Sequence, residues 1–445
     1  MGLLHWLLGT RLEVWTKLIP IDVVTAVLAV LVILPLRRRS RSNDAAARRR
    51  AVVRLVATLG SAALGVLACW IVSDVVDAFD VAFSTVVRMW VAIAVAGLAL
   101  GVTALVQGGR LRRFAGATVV GFALLAAGLG VNVDFAAYPT LNALLQESPY
   151  GHLPIGAEAP PVDGNVPTLA TWRAPTDLPE HGRVGWVRIP GSESGFPARK
   201  AVVYLPPAAL TADPPRLPVV LSLSGQPGTP SDMFSAGRLA AVMDSYADAH
   251  HGVAPIVISA DQLAVPGHNP MCVDSPLGNA ATYILRDVPA WATKHLRVQP
   301  VSAGWGVMGF SEGGTCTMQF STGYPQFFTN ALAISSERVP LNGDRDHTID
   351  AAFGGSASRY RAATPEGLMA AHAPYSHHFT TLAWGGSDRE YRSNGRQLAR
   401  AARRAGITTS VLEAPGSGHD WNTVHYALER ALPSIADRLV AADRH

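Results

Sequence analysis

Gly304-Trp-Gly-Val-Met-Gly-Phe-Ser-Glu-Gly-Gly314 is the stretch that decides the fold of this chain. Its first half is a short apolar run suited to a buried strand, and the residues after Gly314 read as helix. Between the two, Gly309-Phe310-Ser311-Glu312-Gly313 forms a G-x-S-x-G. That motif carries chemistry in a strand–turn–helix setting, where a tight turn lifts the serine hydroxyl above the sheet edge. Glycines on either side leave room for the strained serine backbone, and the helix amino terminus favours negative charge developing beside it. Ser311 is the candidate nucleophile. Five residues alone are a weak signal in a chain with 41 glycines, so the reading depends on finding the partners of Ser311.

A serine needs a base, and the base needs a carboxylate to orient it; on such a sheet they follow in the chain order Ser, acid, His. His419 lies in Ala414-Pro-Gly-Ser-Gly-His-Asp-Trp421, a Gly-rich loop after the last apolar run, where a turn swings an imidazole over the sheet. The acid is expected where the preceding strand ends, in Gly385-Gly-Ser-Asp-Arg-Glu390. Asp388 is the first choice and Glu390 its rival. Asp420 is set aside because a sequence neighbour of His419 points away from it. His268, His347, His372, His377, His378 and His425 lack this placement and are expected at surface, capping or pocket-lining positions. Two backbone N–H groups must meet the tetrahedral oxygen. One belongs to Glu312. The other is assigned to Gln226 in Leu223-Ser-Gly-Gln-Pro-Gly-Thr229, since Gly225 permits the turn and Pro227 has no N–H.

Outward from these motifs, residues 181–445 alternate short apolar runs with helical stretches. Eight strands are predicted, at Gly185–Ile189, Ala201–Leu205, Pro218–Leu223, Pro255–Ser259, Gly304–Gly309, Ala331–Ser335, Thr380–Trp384 and Thr408–Glu413. Their order is hairpin-like at first and strand–helix–strand afterwards, as in a mostly parallel eight-stranded sheet flanked by helices. Ahead of this domain, residues 134–180 carry eight prolines and read as a connector outside any long helix.

The first 133 residues are of another kind. The chain is 49% hydrophobic and 16% charged, and the apolar excess concentrates in four stretches near bilayer length: Leu18–Leu36, Val56–Ile71, Met89–Leu105 and Ala115–Val131. The Leu3–Leu8 patch is too short to span and is assigned to the interface. Residues 1–133 hold 14 Lys and Arg against 6 Asp and Glu, whereas residues 134–445 hold 23 against 27. The basic character thus belongs to the apolar part and gives no reason to expect nucleic acid. Arg37, Arg38, Arg39, Arg41 and Arg48–Arg50 fill the first loop, and Arg110, Arg112 and Arg113 the third. The second holds Asp74, Asp77 and Asp80. Basic loops stay cytoplasmic, so four retained spans leave the catalytic domain outside. Arg88 and Asp22, near span ends, are expected to snorkel.

Together, Leu223-Ser-Gly-Gln-Pro-Gly, Gly309-Phe-Ser-Glu-Gly-Gly, Gly416-Ser-Gly-His-Asp-Trp, Cys272-Val-Asp-Ser and Tyr283 resemble the α/β-hydrolase esterases of the esterase D and secreted mycolyltransferase type, over Gly182 to Leu432. The resemblance implies acyl transfer through Ser311, with Gln226 at the position that donates an N–H in the mycolyltransferases. Those enzymes use a Glu as acid and lack a four-span anchor; Gly385-Gly-Ser-Asp is nearer the Asp version of related esterases. The implied fold is therefore an all-α transmembrane part followed by an α/β-hydrolase domain.

Cys69 falls in the second span and reads as a packing residue. Cys272 and Cys316 both fall in the domain assigned to the outside, near the active-site end, and are expected to pair. No spacing suggests zinc, no phosphate loop is present, and no cofactor is expected. The function expected is a membrane-anchored serine esterase or acyltransferase acting on ester or lipid substrates. An anchored binding protein without activity and a serine peptidase stay open as rivals.

Overall fold

A computed structural model of the chain describes residues 10–12, 18–34, 44–76, 83–107, 109–145, 148–155, 167–265 and 267–441. The chain forms two compact units, Met1–Leu144 and Leu145–His445. The Leu3–Leu8 patch, Arg37–Arg41, Asp77 and Asp80 lie outside the described residues.

The first unit is helical: α1 (Leu18–Ile33), α2 (Asp44–Trp70), α3 (Thr85–Gln107) and α4 (Arg110–Phe135). α2 runs on through a π-helical turn, Ile71–Val75. At about 1.5 Å per residue, α2, α3 and α4 each exceed the roughly 30 Å hydrocarbon core of a bilayer. These three are long and apolar enough to cross a membrane, whereas α1 has 16 residues. The predicted end of its span, Pro35–Leu36, lies outside the described residues. α2 begins well before the expected Val56, so Arg48–Arg50 ride on the helix instead of in a loop. Hydropathy marks only the apolar length of a helix, not its basic overhang. Arg88 is more than a snorkelling end residue: its Nη2 meets Asp74 Oδ2 at 2.7 Å. α3 and α4 approach closely because a Cβ at Gly101 would stand 2.1 Å from Val120 Cγ2, and one at Gly116 2.5 Å from Ala104 Cβ. Small residues permit such contact between apolar helices. Leu59, Leu64, Val102, Val106 and Phe114 remain exposed on the outside of the unit, a surface suited to lipid.

The second unit is built on eight strands: β1 (Arg183–Val187), β2 (Ala201–Leu205), β3 (Val219–Leu223), β4 (Ile256–Ser259), β5 (Trp305–Phe310), β6 (Phe328–Ile334), β7 (Phe379–Gly385) and β8 (Thr408–Ala414). Their spatial order is β1-β2-β4-β3-β5-β6-β7-β8. β2 pairs antiparallel with β1 and with β4, and all other neighbours are parallel. This is the mostly parallel eight-stranded α/β-hydrolase sheet that the sequence predicts. Its central strands are buried on both faces, as parallel strands flanked by helices are. Side chains alternate between two cores. Leu221 and Val307 join one core with Cys316 and Phe320 of α6 (Glu312–Gly323). Val220 and Met308 join the other, against α5 (Leu239–Ala249) and α8 (Trp421–Ala441). α7 (Arg389–Arg404) closes the far end over Leu382 and Trp384. Parts of the Pro-rich connector pack on this unit. Leu153, Leu169 and Trp172 are buried in the first core, and His152 bridges to Trp186 of β1.

Candidate active site

All the candidate residues stand at the carboxyl ends of parallel strands, where open α/β sheets place their ligands. β5 ends at Phe310, and Ser311 turns the chain into α6 with φ 58° and ψ −122°. A non-glycine residue holds such angles only when its surroundings compel it. Here a Cβ at Gly309 would stand 2.2 Å from Gly313 O, and one at Gly313 would stand 2.3 Å from Leu223 O. The two glycines of the motif therefore let the strand, the helix and the end of β3 touch.

His419 Nε2 lies 3.0 Å from Ser311 Oγ. The imidazole is clamped between two rings, Tyr391 at 4.1 Å and Phe310 at 4.8 Å between centroids, both stacked. Behind it, His419 Nδ1 faces Asp388 Oδ2 at 3.6 Å, and neither atom has another partner among the described residues. This is an ion-pair separation, longer than a hydrogen bond; such contacts commonly tighten when substrate binds. The Asp388 carboxyl is 3% exposed and its Oδ1 accepts from Tyr391 N at 3.1 Å, capping α7. Glu390 sits exposed in the first turn of α7. The structure brings Asp388, not Glu390, to the imidazole. Asp420 turns away, accepting from Gly418 N at 2.9 Å and Thr423 N at 3.0 Å, and so shapes the loop that presents His419.

The loop after β3 passes directly over the nucleophile: a Cβ at Gly225 would stand 3.2 Å from Ser311 Cβ. Neither the N–H of Gln226 nor that of Glu312 donates to a protein acceptor among the described residues. The Gln226 side chain is held aside, its Nε2 donating to Gly267 O at 3.1 Å and its Oε1 accepting from Asn269 Nδ2 at 3.0 Å. The Glu312 side chain points inward and is buried, and burial pushes its carboxyl up to about 8. Its Oε2 accepts from Gln262 Nε2 at 2.8 Å, which opposes that rise. Its Oε1 rests 2.9 Å from Cys316 Sγ. Cys316 is disulfide-bonded to Cys272, with Cα atoms 5.5 Å apart, tying α6 to the loop after β4. Cys69 is free and buried.

Tyr391 and Phe310 escaped the sequence reading. Tyr391 gives its backbone N–H to Asp388 and stacks its ring on His419. Burial raises its phenol well above the usual tyrosine range. Phe310 occupies the variable position before the serine, and Tyr391 the third position after an N-cap aspartate; those placements were the available signals. Among the remaining histidines, His268 Nε2 contacts Leu277 O at 2.7 Å and His425 Nε2 contacts Ala236 O at 2.6 Å. His378 departs from the surface, capping or pocket-lining expectation: it is buried beside Tyr375, and desolvation drops its imidazole to about 4.

An esterase family model matches residues 196–434, the span that holds every residue of this site. The chain is similar to an uncharacterized protein of Corynebacterium glutamicum, 31% identical over 332 residues that cover 72% of this chain and 75% of the relative. Similar solved structures include an S-formylglutathione hydrolase from Agrobacterium tumefaciens, at 17% identity and TM-score 0.49, covering 59% of this chain and 98% of that one. A ferulic acid esterase from Anaeromyces mucronatus aligns at 15% identity and TM-score 0.44, covering 63% and 97%. With more than half of its length matched by one family model, the chain belongs to the esterase family and is a serine hydrolase of carboxylic esters.

Proposed function

We propose that this protein is a membrane-anchored serine esterase or acyltransferase, facing the outside, that acts on acyl esters of the cell envelope through an acyl-Ser311 intermediate. The observation that carries the proposal is the line Ser311 Oγ, His419 Nε2, His419 Nδ1, Asp388 Oδ2. His419 takes the serine proton as Oγ attacks the acyl carbon. The oxygen that becomes negative is received by the N–H groups of Gln226 and Glu312. The proton then passes from His419 to the departing alkoxide as the ester bond breaks. In the second half His419 deprotonates the incoming hydroxyl as its oxygen attacks the acyl carbon, and the acyl–Ser311 bond breaks as His419 returns the proton to Ser311 Oγ. Water gives hydrolysis; a sugar or lipid hydroxyl gives transfer. Asp388 fixes the imidazole orientation and stabilises its cation.

The anchor and its orientation rest on the long apolar helices and on the charges at their ends: arginines around the first and third connections, including Arg48–Arg50 on α2 and Arg110, Arg112 and Arg113 at the start of α4, against Asp74, Asp77 and Asp80 around the second. An outward, membrane-held site suits envelope lipids. The test is fluorophosphonate labelling, together with turnover of envelope lipid extracts with and without a sugar acceptor. Wild type is expected to be labelled and active, and Ser311→Ala neither. An unlabelled, folded wild type, or one that turns over no acyl ester, would overturn the proposal.

A further inference from the structure

Behind the oxyanion loop lies a set of buried polar side chains that the acyl-transfer steps do not use. Gln262, on the loop leaving β4, is fully buried. Its Nε2 donates to Ser224 O at 2.6 Å and to Glu312 Oε2 at 2.8 Å. Ser224 opens the loop that carries Gln226, and Glu312 is the other proposed oxyanion donor. One amide nitrogen therefore ties together the two backbone segments that must converge on a single oxygen. The orientation of that amide is dictated by its partner, because Ser224 O is an acceptor only and a reversed amide would set oxygen against oxygen.

The neighbouring Asp261, also fully buried, holds the far end of the same loop through an intermediary. It accepts from Arg199 Nη2 at 2.7 Å, from Arg199 Nε at 3.1 Å and from Arg199 N at 2.7 Å. Arg199 Nη2 in turn donates to Gly228 O at 3.0 Å. Residues 224–228 are thus gripped at both ends by the dipeptide Asp261-Gln262. Gln262 Oε1 has no partner among the described residues, so the side chain keeps a buried acceptor unsatisfied. An apolar residue of the same size would avoid that penalty, which directs attention to the two bonds its nitrogen makes.

We infer that Gln262 is a positioning residue of the oxyanion hole, holding the loop 224–228 in register with the nucleophile helix, with Asp261–Arg199 as the second anchor. The inference rests on the esterase reading above. Two N–H groups stabilise an oxyanion only when both are aimed at it beforehand. Letting one segment drift weakens binding of the transition state and leaves ground-state binding nearly intact.

The test uses the full chain in detergent, with competent sites counted by fluorophosphonate titration. Gln262→Met keeps the side-chain volume and removes both donors. Its kcat per competent site on a p-nitrophenyl ester is expected to fall about 10- to 100-fold with KM within about threefold. Affinity for a trifluoromethyl ketone, whose serine adduct carries an oxyanion, is expected to weaken in parallel. Arg199→Lys, which keeps the ion pair but withdraws the bond to Gly228 O, is expected to lower kcat about 3- to 10-fold in the same manner. Gln319→Leu removes another buried amide, which donates to Ala363 O at 3.2 Å, and is expected to leave kcat per site at the wild-type value. Wild-type kcat and ketone affinity in both Gln262→Met and Arg199→Lys would overturn the inference. So would an equal loss in Gln319→Leu, which would reduce Gln262 to packing. A wild type that fluorophosphonate does not label would overturn the esterase reading instead.

Discussion

Gly313 is where the geometry makes its most demanding claim. A Cβ at this position would stand 2.3 Å from Leu223 O and 2.5 Å from Ser224 O, both main-chain atoms that cannot rotate aside. Real Cβ atoms essentially never come closer than 3.0 Å. Gly313→Ala must therefore drive the end of β3 and the nucleophile helix apart by about 0.7 Å in a close-packed region. That movement is transmitted to the loop holding Gln226, because Ser224 is its first residue. Misplacement of about 1 Å at a reacting centre lowers rate by about 10²-fold, and overpacking destabilises by about 1–3 kcal/mol. The expected result is a kcat per competent site about 30- to 100-fold below wild type, with KM changed less than about threefold. Steady-state hydrolysis of a p-nitrophenyl ester after active-site titration measures both. Gly151→Ala, whose Cβ would meet nothing within 4 Å, is the control and should behave as wild type. A folded Gly313→Ala protein with kcat within about threefold of wild type would refute the reasoning.

Asp388→Asn is expected to lower kcat by about 10³- to 10⁴-fold, as loss of the orienting acid does elsewhere, while Glu390→Gln stays near wild type; steady-state kinetics showing the reverse ranking would move the role to Glu390. Glu312 predicts a pH dependence of stability. Its carboxyl is raised from 4.5 to about 8 by burial, so its stabilising contribution is complete below the unfolded value and is lost as pH rises through about 8. Urea unfolding between pH 5 and 9 should show wild-type stability declining with pH and a flatter profile for Glu312→Gln; parallel profiles would contradict it.

Much of the catalytic domain was legible in the sequence because its strands are short apolar runs set off by glycine and proline. β2 matches its predicted bounds, and most of the others differ by one or two residues. β6 starts earlier than expected, at Phe328, because the polar Thr329 and Asn330 interrupt the apolar run; Phe328 and Asn330 still pair with β5 and Asn330 with β7, while the register skips Thr329 as a bulge. Ser311 and His419 stood out through the glycines their turns require. Choosing between Asp388 and Glu390 needed three dimensions: two residues apart at the start of a helix, one side chain caps inward and the other points to solvent. Gln262 and the Asp261–Arg199 pair were invisible for another reason. They act on backbone carbonyls some 30 to 40 positions away in the chain, and no local pattern encodes such a contact.

The link between Cys272 and Cys316 has a consequence beyond bracing. Bonds of this kind persist in oxidising compartments and are kept open in reducing ones. Under the outward orientation proposed above, the helix that begins beside Ser311 would complete its fastening only once the domain reached an oxidising side. The oxidation state of these two sulfurs would then be a molecular record of that passage, readable by alkylation mass in whole cells, and would test the proposed orientation without any measurement of activity.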